Sequence, residues 1–205
     1  MLILTSSCSF TTKHFVQHLP RKPQDLRLTF IPTAAEAEEG DKQWLKDDRQ
    51  ALVDVGFPVN DFTLTGKTTD EVREMLEKTN FVFFSGGNTF YLLQEMNKSG
   101  FTKIIHQYID KGVIYGGSSA GSIVAGPSIG LARNIDYEKL APELGSFQAL
   151  NLTDVVVFPH WGNEDLQKRY TKLIKNAYKK GNKLVLLTDD QYLLVENGKY
   201  SIESI

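Results

Sequence analysis

Short apolar runs alternate with helix-like segments along most of the chain, and this alternation is the feature that most restricts the fold. Several of the runs are apolar throughout rather than at every second residue; they cover residues 2–5, 26–31, 61–64, 81–84, 112–115, 154–158 and 183–187. Strands buried on both faces of a parallel sheet have this pattern. Between the runs, apolar residues recur at three- and four-residue intervals, as in 166–178, a helix expected to end at Gly181. Repeated strand–helix units of this kind predict a doubly wound α/β sheet with right-handed crossovers.

The C-terminal part of the chain departs from this pattern. Two strand-like runs flank Asn197-Gly198, a dipeptide typical of two-residue hairpin turns. The sequence therefore predicts an α/β fold in which a mostly parallel sheet is flanked by helices and closed by a C-terminal β-hairpin. Its 205 residues suit a single domain that spans 1–205.

Charge and composition argue against several classes of partner. The formal net charge is −2, too small to indicate a nucleic-acid or membrane surface as partner. The apolar run at the N-terminus covers only 1–4, and no run approaches the roughly 20 residues of a membrane-spanning helix. The one cysteine, Cys8, fits a reducing compartment. We therefore expect a cytoplasmic protein, a monomer or homodimer, without nucleic-acid or membrane partners and without a metal or organic cofactor.

Three charged stretches are predicted to lie on the surface. Residues 21–25 have the composition of a loop, and 35–48 that of an exposed helix face. The lysine and arginine residues between 168 and 180 are spaced like the solvated face of an amphipathic helix. None of these stretches is predicted to take part in a site.

Two glycine-rich segments, "FSGGNTFYLL" and "YGGSSAGSIV", each follow an apolar strand and precede a helix. Sites in open parallel sheets form outside the carboxyl ends of the strands, which is where both segments lie. A serine nucleophile on a sharp strand-to-helix turn needs small residues two positions before and after it, as in G-x-S-x-G. Ser118 and Ser122 do not meet this requirement. Ser119, between Gly117 and Gly121, does, and it is the predicted nucleophile.

A serine hydroxyl needs a general base, and the chain has four histidines to supply it. His14 and His18 have helical spacing and no acidic partner motif, so a surface helix is favoured there over a metal site. His106 lies in a patterned helix and is expected to pack or to face solvent. His160 directly follows an apolar run and a proline, which places it on the same rim of the sheet as Ser119. It is therefore the predicted base.

The group that orients the base is left open by the sequence. Asp189 and Asp190 end the strand after His160, while Asp136 lies in the region between serine and histidine. Asp189 is taken as the first choice, with Asp136 and Asp190 as alternatives, and a Ser-His dyad without a carboxylate also fits.

Amide donors for a developing oxyanion are expected from two loops. One donor is the amide of Ala120, which follows the nucleophile at the start of a helix. The second is expected from the loop formed by Gly86, Gly87 and Asn88, since glycine allows close backbone approach. Gly86 and Asn88 are also candidates for contacting the substrate. Phosphate binding by this loop is disfavoured, because it has neither a lysine nor G-x-G-x-x-G spacing.

Taken together, "FFSGGNTFYLL", "GGSSAGS" and "FPHWG" resemble, in this order and rough spacing, peptidase family S51, which includes dipeptidase E and cyanophycinase. The resemblance covers most of the chain. It implies a fold similar to that of class I glutamine amidotransferases, with serine in place of their cysteine. It further implies Ser119 as nucleophile, His160 as base, and the amides of Gly87 and Ala120 as oxyanion hole.

One segment departs from the family pattern. The aspartyl dipeptidases have an acidic-Thr-Arg triplet after their histidine, whereas this chain has "HWGNEDLQKRYTKL", with Lys168 and Arg169 nearby. The resemblance therefore does not carry specificity for an N-terminal aspartate over to this chain. The chain is also too short for the additional elements of cyanophycinase-like members, which favours small peptides over a polymer as substrate.

The sequence thus predicts a serine peptidase that hydrolyses small peptides through an acyl-enzyme. An esterase or amidase acting on a non-peptide acyl group would use the same machinery. A binding module that kept the scaffold and lost activity is a further alternative. An α/β-hydrolase is disfavoured by the order of the residues, and a glutamine amidotransferase by the distance of Cys8 from the serine turn.

Overall fold

The computed structural model describes residues 1–134, 136–164, 173–175, 177–178 and 183–205. Within these ranges the strands are β1 (Leu2–Thr5), β2 (Leu28–Ile31), β3 (Val59–Asp61), β4 (Phe81–Phe84), β5 (Ile114–Ser118), β6 (Val155–Phe158), β7 (Lys183–Leu186), β8 (Gln191–Glu196) and β9 (Lys199–Ser204). The α-helices are α1 (Cys8–Phe15), α2 (Thr33–Glu36), α3 (Gln43–Asp54), α4 (Thr69–Glu77), α5 (Thr89–Lys98), α6 (Phe101–Asp110) and α7 (Ala120–Ile123). Short 3-10 turns occur at Val16–His18, Pro23–Asp25, Ala132–Asn134 and Glu138–Leu140.

Seven of these strands form one sheet in the order β3-β2-β4-β5-β1-β8-β9. The five strands from β3 to β1 are mutually parallel, while β8 and β9 run antiparallel to their neighbours. The turn between β8 and β9 has positive φ at both Asn197 (+50°) and Gly198 (+72°), as a type I′ turn requires. The predicted fold, a mostly parallel sheet flanked by helices and closed by a C-terminal hairpin, is confirmed.

The core lies on both faces of this sheet, because its central strands carry large side chains in both directions. Along β4, Val82 and Phe84 belong to one buried cluster, whereas Phe81 and Phe83 belong to the other. Neither face of these central strands is exposed to solvent, and for this reason their sequences are apolar throughout instead of alternating between apolar and polar residues. In the first cluster Phe84 stacks on Tyr115, with ring centroids 5.3 Å apart.

Three details differ from the expectations. The strand predicted at 61–64 is placed earlier, at Val59–Asp61. Strand β5 continues past 115 to Ser118, because Gly116 and Gly117 still pair with Ile3 and Leu4 of β1. The strands β6 and β7 pair with each other in a separate two-stranded parallel sheet, which an apolar run alone does not reveal. The helix predicted over 166–181 lies mostly outside the described residues.

The charges of the stretch 35–48 predicted that all of it lies on the surface, but part of it is buried. It ends inside α3, where Asp48 is only 4% exposed. The carboxylate of Asp48 accepts a hydrogen bond from the Ser9 amide (2.8 Å), one of the free N–H groups in the first turn of α1. Packing of α3 against α1 therefore buries a charged residue that the sequence pattern assigns to solvent. No helix within the described ranges is both long enough and apolar enough to span a membrane.

Candidate active site

Ser119 occupies a strained turn between β5 and α7. Its dihedral angles are φ +47° and ψ −105°, a region that non-glycine residues rarely adopt. A β-carbon at Gly117 would lie 2.3 Å from the Gly121 carbonyl carbon, and one at Gly121 would lie 2.5 Å from the Phe84 carbonyl oxygen. The two glycines that single out Ser119 in the sequence are thus required by close backbone packing.

Ser118 and Ser122 flank this turn and have structural contacts. The Ser122 hydroxyl lies 2.7 Å from the Thr5 carbonyl and 2.8 Å from the Gly117 carbonyl, to which it donates. The Ser118 hydroxyl accepts a hydrogen bond from the Cys8 amide (3.2 Å). Both side chains are buried and connect the turn to β1 and α1.

His160 follows β6 and reaches Ser119 across the rim. Its Nε2 lies 3.0 Å from the Ser119 hydroxyl oxygen. Its backbone also has a positive φ (+58°), and its amide donates to the Ser6 hydroxyl oxygen at 2.6 Å. The turn is fixed further by the Trp161 amide, which donates to the Leu187 carbonyl at the end of β7 (2.8 Å). Backbone contacts therefore hold the imidazole in reach of the serine.

Asp189 stands behind His160. Its Oδ1 lies 2.6 Å from His160 Nδ1 and accepts a second hydrogen bond from the Ser6 hydroxyl at 2.7 Å. The hydrogen bond with His160 holds the pKa of Asp189 below its ordinary value, with a smaller contribution from Ser6, against partial burial. Since an ionised carboxylate only accepts, Nδ1 carries the proton in this tautomer and Nε2 is left to accept from Ser119. Ser119, His160 and Asp189 therefore form one hydrogen-bonded series.

The two alternative carboxylates have other partners. Asp136 accepts a hydrogen bond from the Thr89 amide (2.8 Å) at the start of α5, and burial raises its pKa. Asp190 accepts from the Thr188 hydroxyl. Of the three aspartates considered, the structure brings only Asp189 into hydrogen-bond contact with His160.

The Gly86-Gly87 loop lies directly against the serine. A β-carbon at Gly86 would be 3.3 Å from that of Ser119, and one at Gly87, where φ is +125°, would be 2.4 Å from the Ala34 carbonyl. Neither the Gly87 amide nor the Ala120 amide donates to another residue that the structure describes. Both amides are therefore free to donate to an oxygen bound beside Ser119.

Asn88 is not brought into the cavity, contrary to the expectation that it contacts substrate. It is fully buried; its side-chain oxygen accepts from the Tyr91 amide (2.9 Å) and its nitrogen donates to the Tyr137 carbonyl (3.2 Å). The sequence pattern that suggested a binding residue is that of a helix N-cap, here the cap of α5.

A cavity of about 300 Å³ opens over these groups. It is lined by Ser6, Ser7, Trp44, Asp48, Gly86, Gly87, Ser118, Ser119 and His160. A larger cavity of about 430 Å³ near the β3 edge contains none of the predicted site residues. The smaller cavity is therefore the candidate active site.

Four residues that line this site were not predicted from the sequence: Ser6, Ser7, Trp44 and Asp48. Ser6 directly follows β1, whose carboxyl end lies on the same rim, so its position could have been inferred from the rule that selected His160. Trp44 and Asp48 lie within α3, and only the packing of that helix brings them to the cavity.

The other histidines lie apart from this site. His14 Nδ1 is 2.8 Å from the Tyr192 hydroxyl, so it is half-buried rather than on a solvated helix face as expected. His106 Nε2 is 2.7 Å from the Leu150 carbonyl. Within the described ranges, no group of three or more His, Cys, Asp or Glu side chains is placed to hold a metal ion.

The fold and this geometry define an α/β protein with a serine, a histidine and an aspartate in hydrogen-bonded series at the carboxyl rim of a mostly parallel sheet. The chain belongs to peptidase family S51, whose model matches residues 2–203. This match confirms the expected family, and membership of the family identifies the chain as a peptidase.

Individual relatives agree with this assignment. The chain is 36% identical over 174 residues to an uncharacterized peptidase of Pasteurella multocida, covering 85% of this chain and 83% of the relative. It is 31% identical over 173 residues to Peptidase E of Haemophilus influenzae, covering 82% and 75%. The crystal structure of a candidate peptidase E protein from Listeria monocytogenes superposes with a TM-score of 0.91 at 28% identity, covering 100% and 98%.

Substitution of Gly117 by alanine is predicted to disrupt the serine turn. The new methyl group would overlap the Gly121 backbone, which cannot move without displacing α7. We expect Gly117→Ala to lower the free energy of unfolding by about 2 kcal/mol or more, measured by urea denaturation.

Gly145→Ala is the matched control, because no atom lies within 4 Å of the added methyl group. Its free energy of unfolding should stay within about 0.5 kcal/mol of the parent protein. Equal stability of the two variants would show that the turn is not packed as described.

Proposed function

We propose that this chain is a serine peptidase that hydrolyses small peptides, dipeptides in particular, through an acyl-enzyme. The observation that carries the proposal is the unbroken series Asp189–His160–Ser119, with separations of 2.6 Å and 3.0 Å. A serine hydroxyl in this arrangement can lose its proton to the imidazole as it attacks a carbonyl carbon.

In the first half of the proposed reaction, Ser119 Oγ attacks the scissile carbonyl carbon while its proton passes to His160 Nε2. The imidazolium is stabilised by Asp189, which accepts from Nδ1 and stays ionised. The proton then moves from Nε2 to the leaving amine as the C–N bond breaks, and the ester on Ser119 remains. In the second half, water replaces the amine, and its attack on the ester restores the free hydroxyl.

The developing oxyanion is assigned to the amides of Gly87 and Ala120. Both are free of other acceptors in the described structure, and both belong to backbone that its neighbours hold rigidly. Rigid donors need no reorganisation when the charge appears; each such donor contributes about 10²- to 10³-fold to the rate in other acyl-transfer enzymes.

The size of the substrate is inferred from the cavity and from the relatives. About 300 Å³ accommodates one or two residues rather than an extended chain. The name Peptidase E, borne by the Haemophilus influenzae relative, supports a dipeptidase. Among the described lining residues there is no lysine or arginine, so specificity for an N-terminal aspartate is not part of the proposal.

Ser119→Ala is predicted to abolish labelling by a fluorophosphonate probe and to reduce kcat/KM for dipeptides by a factor on the order of 10⁴ or more. The reason is that no other hydroxyl of the turn faces His160. Labelling is read by intact-protein mass spectrometry, and hydrolysis by the release of free amino acid.

Ser122→Ala is the control within the same turn, since that hydroxyl is bonded to backbone carbonyls. It should retain labelling. Persistent labelling of Ser119→Ala would refute the assignment of the nucleophile. Labelling without dipeptide hydrolysis would favour an esterase or amidase, and dipeptide binding without either would favour a binding module.

Ser6→Ala is predicted to lower kcat by about tenfold or more with little change in KM. Its hydroxyl donates to Asp189 and accepts from the His160 amide, so its loss leaves that partly buried amide without this acceptor and frees the carboxylate to turn. Steady-state kinetics on a dipeptide provide both parameters.

Ser146→Ala, a change at an exposed position, is the control and should leave both parameters unaltered. An effect of Ser6→Ala on thermal stability alone, with kcat intact, would assign Ser6 a structural role instead of a positioning one.

A further inference from the structure

Asp48 is a buried carboxylate in the wall of the active-site cavity, and the proposed mechanism does not use it. Only 4% of the residue is exposed, yet it lines the same cavity as Ser119 and His160. It lies on α3, whose opposite side faces solvent, so its orientation towards the cavity is set by the packing of that helix on α1.

The neighbours of this carboxylate are neutral donors. The Ser9 amide donates to Oδ1 at 2.8 Å, and the Ser118 hydroxyl is close enough to interact with it. No lysine, arginine or histidine within the described ranges forms an ion pair with Asp48. Burial raises its pKa, while the bonds to Ser9 and Ser118 and the charge of His160 act in the opposite direction. A buried carboxylate in this situation is stabilised by a cation that arrives with a ligand.

Trp44 supplies an aromatic wall on the same side. It precedes Asp48 by four residues and therefore lies on the same face of α3, one turn away. Its ring edge approaches the loop of the oxyanion donors, 3.5 Å from where a β-carbon on Gly86 would be. A carboxylate combined with an indole ring is a favourable environment for an ammonium group, because both attract positive charge.

We propose that Asp48 and Trp44 form a binding subsite for an ammonium group on the acyl part of the substrate, next to the bond that Ser119 attacks. This inference rests on the proposed function and specifies which peptides the site accepts. The ammonium group is either the free α-amine of the N-terminal residue or the side-chain amine of a lysine in that position. Peptides that lack both are poor substrates.

The test measures how fast Ser119 reacts with diphenyl phosphonates, in which the serine oxygen displaces phenoxide from phosphorus and its proton passes to His160. Three probes are compared: the free-amine analogue of alanine, its N-acetyl form, and an N-acetyl analogue of lysine. Rates are measured by intact-protein mass spectrometry. We expect at least one of the two cationic probes to react about tenfold or more faster than N-acetyl alanine.

Asp48→Asn should reduce this rate ratio by about tenfold, since the amide still accepts from Ser9 but no longer carries charge. Asp47→Asn is the matched control: the same change, one residue away, at an exposed position whose carboxylate accepts a hydrogen bond from the Gln43 side chain on the helix surface. It should leave the ratio unaltered. Trp44→Leu, at a 40% exposed position, should also reduce the ratio and provides a second variant if Asp48→Asn folds poorly.

The outcomes separate the two claims. A faster reaction with the alanine analogue identifies the α-ammonium group as the ligand, and one with the acetylated lysine analogue identifies the side chain. Equal rates for all three probes, or a ratio that neither Asp48→Asn nor Trp44→Leu alters, overturn the ammonium subsite while the peptidase proposal stands. Failure of Ser119 to react with these probes and with a simple fluorophosphonate overturns both.

Discussion

The close packing of Gly117 against Gly121 is the constraint on which the site depends. It allows β5 to turn into α7 within one residue, and Ser119 thereby takes up a positive φ that costs roughly 1–3 kcal/mol for a residue with a side chain. The strain is opposed by hydrogen bonds from the Ser119 amide to the Thr5 carbonyl (3.1 Å) and from the Ser122 hydroxyl to the same oxygen. Ser119 lines the cavity and is partly exposed, whereas Ser118, Ala120 and Ser122 around it in the turn are buried.

The second element of the site comes from a different sheet. His160 and Asp189 follow β6 and β7, which pair with each other and not with the seven-stranded sheet that carries Ser119. Ser6, at the end of β1, spans the two sheets, since its hydroxyl contacts both the His160 amide and the Asp189 carboxylate. Besides the backbone contacts of the turn after β6, the alignment of His160 with Ser119 therefore depends on a side chain that directly follows β1 and has no reactive role in the proposed mechanism.

The parallel sheet, Ser119 and the rim position of His160 could be predicted because each follows from local pattern: apolar runs, glycine spacing, and the residue after a strand. The identity of the third residue could not, since Asp136, Asp189 and Asp190 all lie in loops on the rim and only the path of the turn after β7 selects among them. Asn88 was misjudged because a helix cap and a binding residue have the same sequence signature. Asp48 was missed because charge in a helix indicates solvent unless the packing partner is known.

Replacement of the carboxylates is the most direct test of the hydrogen-bonded series Ser119–His160–Asp189. Asp189→Asn keeps the shape of the side chain but favours the wrong imidazole tautomer, so we expect kcat on a dipeptide substrate to fall about 10³- to 10⁴-fold. Asp136→Asn, at a residue whose carboxylate bonds to the Thr89 amide, should alter kcat by less than about tenfold. A large loss of kcat on replacing Asp136, together with a small loss on replacing Asp189, would refute the role of Asp189 in orienting His160.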